Sequence, residues 1–204
     1  MAIHPLPLVL ASRSQSRQAL LRQTGIAFDS LESTIDESAI TGKTPQERIL
    51  KLAQAKALDV SQKIDYPALI LAADTFLIFN RRILEKPKFK LTAVEMLKGL
   101  SGKVHVVLTG WAILNTYKGT WQTGTSDTSV TFRVLSHQEI VEYVDDNPVV
   151  QWAGGYNSQL SAASTFIHSV KGSLTGLNGL PLDQVIPALK HEWAHPYKKK
   201  LSNS

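Results

Sequence analysis

The stretch ALILAADTFLIF, residues 68–79, limits the fold more than any other feature of this chain, because it is apolar throughout except for Asp74-Thr75. An uncompensated carboxylate in such surroundings would cost on the order of several kcal/mol to desolvate. Asp74 must therefore sit at a strand end, be paired, or face a water-filled cleft. A carboxylate hydrogen-bonded to backbone at a strand terminus would meet that requirement with no function attached. The functional alternative is a general base or a metal ligand, since open α/β sheets bind their ligands at strand ends.

A second residue is out of place in the same way. Thr44-Pro45-Gln46-Glu47 has the form of a capping box with proline at the first helical position, so a helix should run to about residue 63. Ile49, Leu52, Ala53 and Val60 share one face of it, and Lys56 falls in the middle of that face. Its ammonium either snorkels past the helix to water or points into a cleft, where a triphosphate would account for it. Leu10-Ala11-Ser12-Arg13-Ser14-Gln15-Ser16-Arg17 reads as a strand–turn–helix junction rich in hydroxyls. Free N–H groups and the positive end of a helix dipole make such a junction a natural phosphate site, to which Arg17 could add a bidentate contact. Plain N-capping explains the serines equally well, though not the arginine. Lys86 precedes Pro87, which restricts it to extended backbone, and taken alone it is a surface lysine before a turn.

The remaining pattern predicts strands over residues 6–10, 27–33, 104–117, 120–135 and 166–170. Helices are predicted over 16–23, 136–145 and 182–192, with one more opened by a Thr92/Glu95 capping box and ending near Gly99 or Gly102. Residues 34–43 form a loop carrying Asp36 and Glu37, and 147–165 are irregular. Strands alternate with helices early and a hairpin comes late, which argues for an α/β fold with a mixed sheet. A single unit with two lobes is expected over residues 1–195, followed by a basic, disordered tail over 196–204.

Composition removes several functions. There is no cysteine, which excludes disulfides, thiolate nucleophiles and cysteine-bound zinc. His191-Glu192-Trp193-Ala194-His195 matches the HExxH zinc-protease pattern, but Pro196 biases His195 away from helical geometry, so the match is set aside. The net charge of +5 invites nucleic acid, yet the dense basic run is confined to residues 198–200 and no aromatic residues interleave with basic ones. The same excess can steer small polyphosphates. The apolar run at the N-terminus is short and broken by prolines, and no stretch approaches the roughly 18 apolar residues of a membrane span. A cytoplasmic protein without nucleic-acid or membrane partners is the expectation.

Taken in order along the chain, these segments resemble the Maf family of nucleotide pyrophosphatases. Leu10-Ala11-Ser12-x-Ser14-x-x-Arg17 with Leu20-Leu21 is similar to the family's LAS-x-SPRR…LL, and Ile35-Asp36-Glu37 to its acidic loop. Leu52-Ala53 with Lys56-Ala57 matches LA-x-x-KA, and Ala73-Asp74-Thr75 matches ADT. Glu85-Lys86-Pro87 is similar to GKP with glutamate for glycine, and Met96-Leu97 to its ML pair. Leu100-Ser101-Gly102-x-x-His105-x-Val107-x-Thr109, Ala153-Gly154-Gly155-Tyr156 and Gly179-Leu180-Pro181 complete the series. Each piece is weak and the ordered set is strong.

The resemblance implies a mixed, twisted sheet flanked by helices, with two lobes around a central cleft, as in inosine triphosphatase. It implies cleavage between the α- and β-phosphates of a nucleoside triphosphate, giving a nucleoside monophosphate and pyrophosphate. By resemblance Asp74 is the general base, and Glu37 and Asp74 lie near a magnesium or manganese ion. Ser12, Ser14, Arg17, Lys56 and Lys86 bind the substrate, and a homodimer is compatible with the family. Thr75 and Gln159 resemble the dTTP/UTP branch, whereas a 7-methyl-GTP branch would show glutamine and glutamate. Ser16, where the family has a base-selecting arginine, fits neither branch, and Gln15 replaces a proline. Arg81 stands where a turn glycine is expected, and Leu160-Ser161-Ala162-Ala163 replaces a glycine-rich loop. The altered base pocket keeps two alternatives open: a pyrophosphatase for 7-methyl-GTP, and a catalytically weak regulatory module linked to cell division.

Overall fold

A computed structural model describes residues 5–158 and 161–194. The apolar run around Asp74 forms one continuous strand, β3 (Leu69–Phe79), whose first half is fully buried. β1 (Leu8–Leu10) lies parallel to β3 and to the short β2 (Asp29–Ser30). β4 (Arg82–Leu84) folds back on the end of β3. β5 (Val104–Asn115), β6 (Thr120–Phe132) and β7 (Ile167–Lys171) continue the sheet on the other side, all antiparallel. The result is a mixed sheet of seven strands in the order β2-β1-β3-β5-β6-β7, with β4 paired to β3.

Alternation along β3 divides its side chains between two faces. Ile70 and Ala72 pack with Val9, Ala11 and Leu114 against Ala57 and Val60 of α2 (Pro45–Ser61). Leu69, Leu71 and Ala73 pack on the opposite face with Leu20 and Leu21 of α1 (Gln15–Gln23) and Val185 and Leu189 of α7 (Leu182–Ala194). Farther along the same strands, Leu77, Val107, Val130 and Phe132 enter another core with Leu97 of α3 (Lys90–Leu100) and Ile140 of α4 (His137–Asp146). These cores share uninterrupted strands of one mixed sheet flanked by helices, as expected of an α/β fold, and a cleft opens where one core hands over to the next.

That handover leaves part of β3 with a free edge. β1 pairs with Leu69–Leu71 and β4 with residues 77–79, so among the described residues nothing pairs with residues 72–76 on that side. On the other side Asp74 lies opposite Gly110 of β5. A Cβ at Gly110 would stand 2.7 Å from the Ile49 Cγ2, so bare backbone there lets α2 sit directly on the sheet.

Several sequence expectations need correction. Of the three placements open to Asp74, pairing and a cleft both hold and the strand end does not: it lies in the middle of β3, and the edge beside it is free because its neighbours stop short. Thr92 and Glu95 do not cap α3, which starts a turn's length earlier with Phe89 as its N-cap and no side-chain cap bond. At α2 the Thr44 hydroxyl accepts from the Glu47 N–H as expected, but the Glu47 carboxylate accepts from the Lys43 N–H instead of closing the box. The full box forms at Ser136 and Glu139. The second strand shrinks to Asp29–Ser30. β4 has no counterpart in the prediction, because its turn uses Asn80 (φ 49°) and Arg81 (φ 64°) where glycine would have announced it. The glycine-rich turn after β7 contains a short helix, α6 (Leu174–Leu177), and α5 (Ser161–Ser164) falls in the irregular segment. No described helix is long and apolar enough to cross a membrane. Gln159, Leu160, His195 and the tail over 196–204 lie outside the described residues.

Candidate active site

The cleft between the cores encloses about 1340 Å³. Its floor is the free edge of β3. Asp74 shares a face with Ile70 and Ala72 and so points at α2, where Lys56 stands in the middle of the buried stripe. The Lys56 Nζ donates to the Asp74 Oδ2 at 3.1 Å and pairs with the Glu37 Oε1 at 2.8 Å. Lys56 is 9% exposed as a whole residue, so its ammonium points into the cleft and does not snorkel to bulk water. The Asp74 Oδ1 accepts from the Thr75 N–H at 2.8 Å. Both carboxylate oxygens are thus engaged, and the charge is compensated within the apolar strand.

Thr75 faces the opposite way, towards α1. Its hydroxyl accepts from Arg17 Nη2 at 3.0 Å and shares a hydrogen bond with the Thr109 hydroxyl at 3.1 Å. Arg17 is fixed further by donation from Nε to the Gly179 carbonyl at 2.8 Å. With no strand in the way, its guanidinium reaches round the free edge to within 3.9 Å of the Asp74 Oδ1. Burial pulls the Arg17 guanidinium below its ordinary value, while Asp74 and Glu37 pull it back up. It stays charged throughout, because an arginine starts so far above neutrality. Gly179 has φ 93°, and a Cβ there would stand 3.3 Å from both Arg17 Nε and the Thr75 hydroxyl, so this glycine keeps the arginine's path open.

The N-terminal junction is both a cap and a cleft wall. Ser14 is the N-cap of α1, its hydroxyl accepting from the Arg17 N–H at 3.4 Å, and the buried Ser12 hydroxyl accepts from the Ser14 N–H at 3.2 Å. Ser12, Ser14, Gln15 and Ser16 all line the cleft, which places the positive end of α1 on its wall. In the acidic loop the two neighbours separate. Asp36 turns back to cap a single 3-10 turn (Glu37–Ala39) through Ser38, whereas Glu37 extends to Lys56. Lys86 lines the cleft from the end of β4, exposed and making no hydrogen bond or ion pair with the described residues. Every proposed site residue therefore meets in one cleft, apart from Gln159, which is not described.

The cleft also contains residues that the sequence did not single out. Arg48 lies two turns before Lys56 on the same stripe of α2, donates from Nε to the Ile40 carbonyl at 3.0 Å, and lies over the Phe76 ring at 5.3 Å. Its Nη1 is 3.8 Å from Glu85. The spacing 48, 52, 56 was the available signal, hidden because an arginine in a first helical turn is ordinarily solvated. Trp152, Tyr156, Asn157 and Asn178 form the far wall. Chemically, the cleft sets one strand-borne carboxylate between a buried lysine and a half-buried arginine, beside a helix N-terminus. That arrangement suits an anionic substrate and a step that needs a base.

A family model described as Maf-like protein matches residues 7–192. The chain is similar to the dTTP/UTP pyrophosphatase of Clostridium perfringens, 34% identical over 187 residues that cover 91% of this chain and 97% of the relative. It is similar to the dTTP/UTP pyrophosphatase of Syntrophus aciditrophicus, 36% identical over 183 residues, with 90% and 88% covered. Among solved structures, a HAM1 protein from Coxiella burnetii aligns with 91% of this chain and 99% of its own length, at 17% identity and a TM-score of 0.47.

Proposed function

This chain belongs to the Maf family, and from that premise and the cleft we infer that it is a nucleoside triphosphate pyrophosphatase. The observation that carries the mechanism is Asp74, held on the free edge of β3 between Lys56 and Arg17 and open to the cleft. Asp74 takes a proton from a water that attacks the α-phosphorus. The bond from that phosphorus to the α,β-bridging oxygen breaks, and pyrophosphate leaves with the electron pair. Arg17, Lys56 and Lys86 meet the charge that develops on the departing group, with Arg17 held in place by the Gly179 carbonyl and the Thr75 hydroxyl. Ser12, Ser14 and the N-terminus of α1 receive phosphate oxygens.

The residues present fit a divalent ion. Glu37 and Asp74 present hard carboxylate oxygens to one shared cation, and no cluster of three metal-binding side chains occurs among the described residues. Two carboxylates completed by phosphate oxygens and water is how magnesium is commonly held, and manganese takes similar donors. When bound, the ion would neutralise charge on the polyphosphate.

For the base we propose dTTP and UTP. The names of the relatives support this, as does Thr75 in the cleft wall, with Ser16 the departure that argues against it. The test is pyrophosphate release from a panel of nucleoside triphosphates with magnesium or manganese, for the wild type and Asp74→Asn. Release favouring UTP and dTTP, lost in the variant, is the expected result. Release confined to 7-methyl-GTP or other purine nucleotides would overturn the base assignment and keep the mechanism. Nucleotide binding without release from any of them would overturn the enzyme in favour of a regulatory module.

A further inference from the structure

We propose that the Lys56 ammonium holds the divalent cation's place in the nucleotide-free protein, so that metal and nucleotide enter the cleft as coupled events. The proposal rests on the pyrophosphatase reading of the same cleft. Lys56 Nζ lies 2.8 Å from the Glu37 Oε1 and 3.1 Å from the Asp74 Oδ2, between the two carboxylates offered to the metal. Those carboxylates come from different elements, one on a 3-10 turn and one in the middle of β3, and the lysine is what joins them. Their other contacts do not compete for the position. The Asp74 Oδ1 is turned to the Thr75 N–H, and among the described residues Glu37 pairs with Lys56.

A divalent ion needs its oxygens at roughly 2.1 Å. An ion on these two carboxylates would then sit within about 5 Å of an ammonium that is itself nearly buried, with like charges facing each other across a partly dry space. Arg17, at 3.9 Å from Asp74, adds to the repulsion from the other side. A polyphosphate resolves the conflict. Its oxygens give Lys56 a new partner inside the cleft, which frees the carboxylates for the ion. Each ligand thus removes the obstacle to the other, and the coupling is reciprocal by thermodynamic necessity.

The experiment measures Mn2+ binding in the absence of nucleotide, by electron paramagnetic resonance of the free ion, for the wild type, Lys56→Met and Lys56→Arg. The wild type and Lys56→Arg, which keep a cation between the carboxylates, should bind Mn2+ weakly. Lys56→Met should bind it at least about tenfold tighter, since losing one charge-assisted contact corresponds to that order of change. Binding by Lys56→Met no tighter than by the wild type would overturn the proposal. Should the methionine variant not fold, the wild type alone decides, through thermal shift with Mn2+, with the α,β-methylene analogue of UTP, and with both. A joint shift exceeding the sum of the separate ones supports the coupling, and a joint shift equal to that sum overturns it. Failure of the pyrophosphatase reading would be visible separately, as no shift with the analogue alone and no pyrophosphate release by the wild type.

Discussion

Asp74, half-buried, and Glu192, buried, are both carboxylates joined to a lysine, and they differ in what is left for a ligand to do. Glu192 belongs to α7, where the Asn115 side-chain amide donates to Oε2 and the Gln122 amide to Oε1, each at 2.6 Å, with Lys118 Nζ at 3.5 Å. Burial would raise its carboxyl, but the two amides and Lys118 together hold it below the ordinary range. Its donors come from β5, β6 and the turn between them, so Glu192 clamps the last helix to the hairpin and lies outside the cleft. Asp74 has one backbone donor and a lysine shared with a second carboxylate, and it lines the cleft. A saturated carboxylate is a fastening; one whose partner can be drawn away by an anion is equipment.

The sharpest test of that contrast is Asp74→Asn. Turnover should fall by about 10²- to 10⁴-fold, the usual contribution of a positioned base, while urea unfolding changes little. Equal losses of stability and turnover would mean that Asp74 too is a fastening. Glu192→Ala should give the reverse pattern. It leaves two amides and an ammonium without their acceptor, so unfolding should become easier by about 3 kcal/mol, with kcat and KM near wild type below the transition.

A third test lies outside both sites. His105 is fully enclosed by Phe132 and Tyr156, its Nε2 2.7 Å from the Tyr156 hydroxyl, and burial lowers it from 6.5 to about 4. The folded state therefore binds fewer protons than the unfolded state between those values. Its contribution is complete above pH 6.5 and is lost as pH falls through about 4, with a maximum of about 3 kcal/mol. His105→Phe should flatten the stability profile between pH 6.5 and 4, and an unchanged slope would assign that loss to the carboxylates. The smallest effect is expected at Arg81, where a side chain occupies the left-handed region. Arg81→Gly should stabilise by about 1 kcal/mol in urea unfolding without touching pyrophosphate release.

Two of the cleft residues were more legible in the sequence than the strand pairing around them. Asp74 and Lys56 stood out because each breaks an apolar pattern, and a broken pattern is visible in one dimension. That Asp74 would sit in mid-strand was not legible, because a free edge is a property of the neighbouring strands and not of β3. Thr92/Glu95 shows the converse: the spacing of a capping box is present, but Phe89 begins the helix first, and burial of Ala93, Val94 and Leu97 fixes the start. Arg48 was missed because nothing local distinguishes it from a solvated arginine, and its place over Phe76 appears only once α2 lies on β3. Glu192 was noticed for the wrong reason, as part of a zinc motif, when its role depends on a hairpin more than sixty residues earlier in the chain.

The contact of Ile49 with the bare backbone of Gly110 has a consequence for timing. A helix seated this closely on its sheet has no slack to lift or slide when a ligand arrives. The rearrangement at Lys56 must then be a change of rotamer on a fixed helix, not the microsecond-to-millisecond displacement of a whole element. Deep in the cleft, the preparation of the carboxylates should never set the pace of turnover.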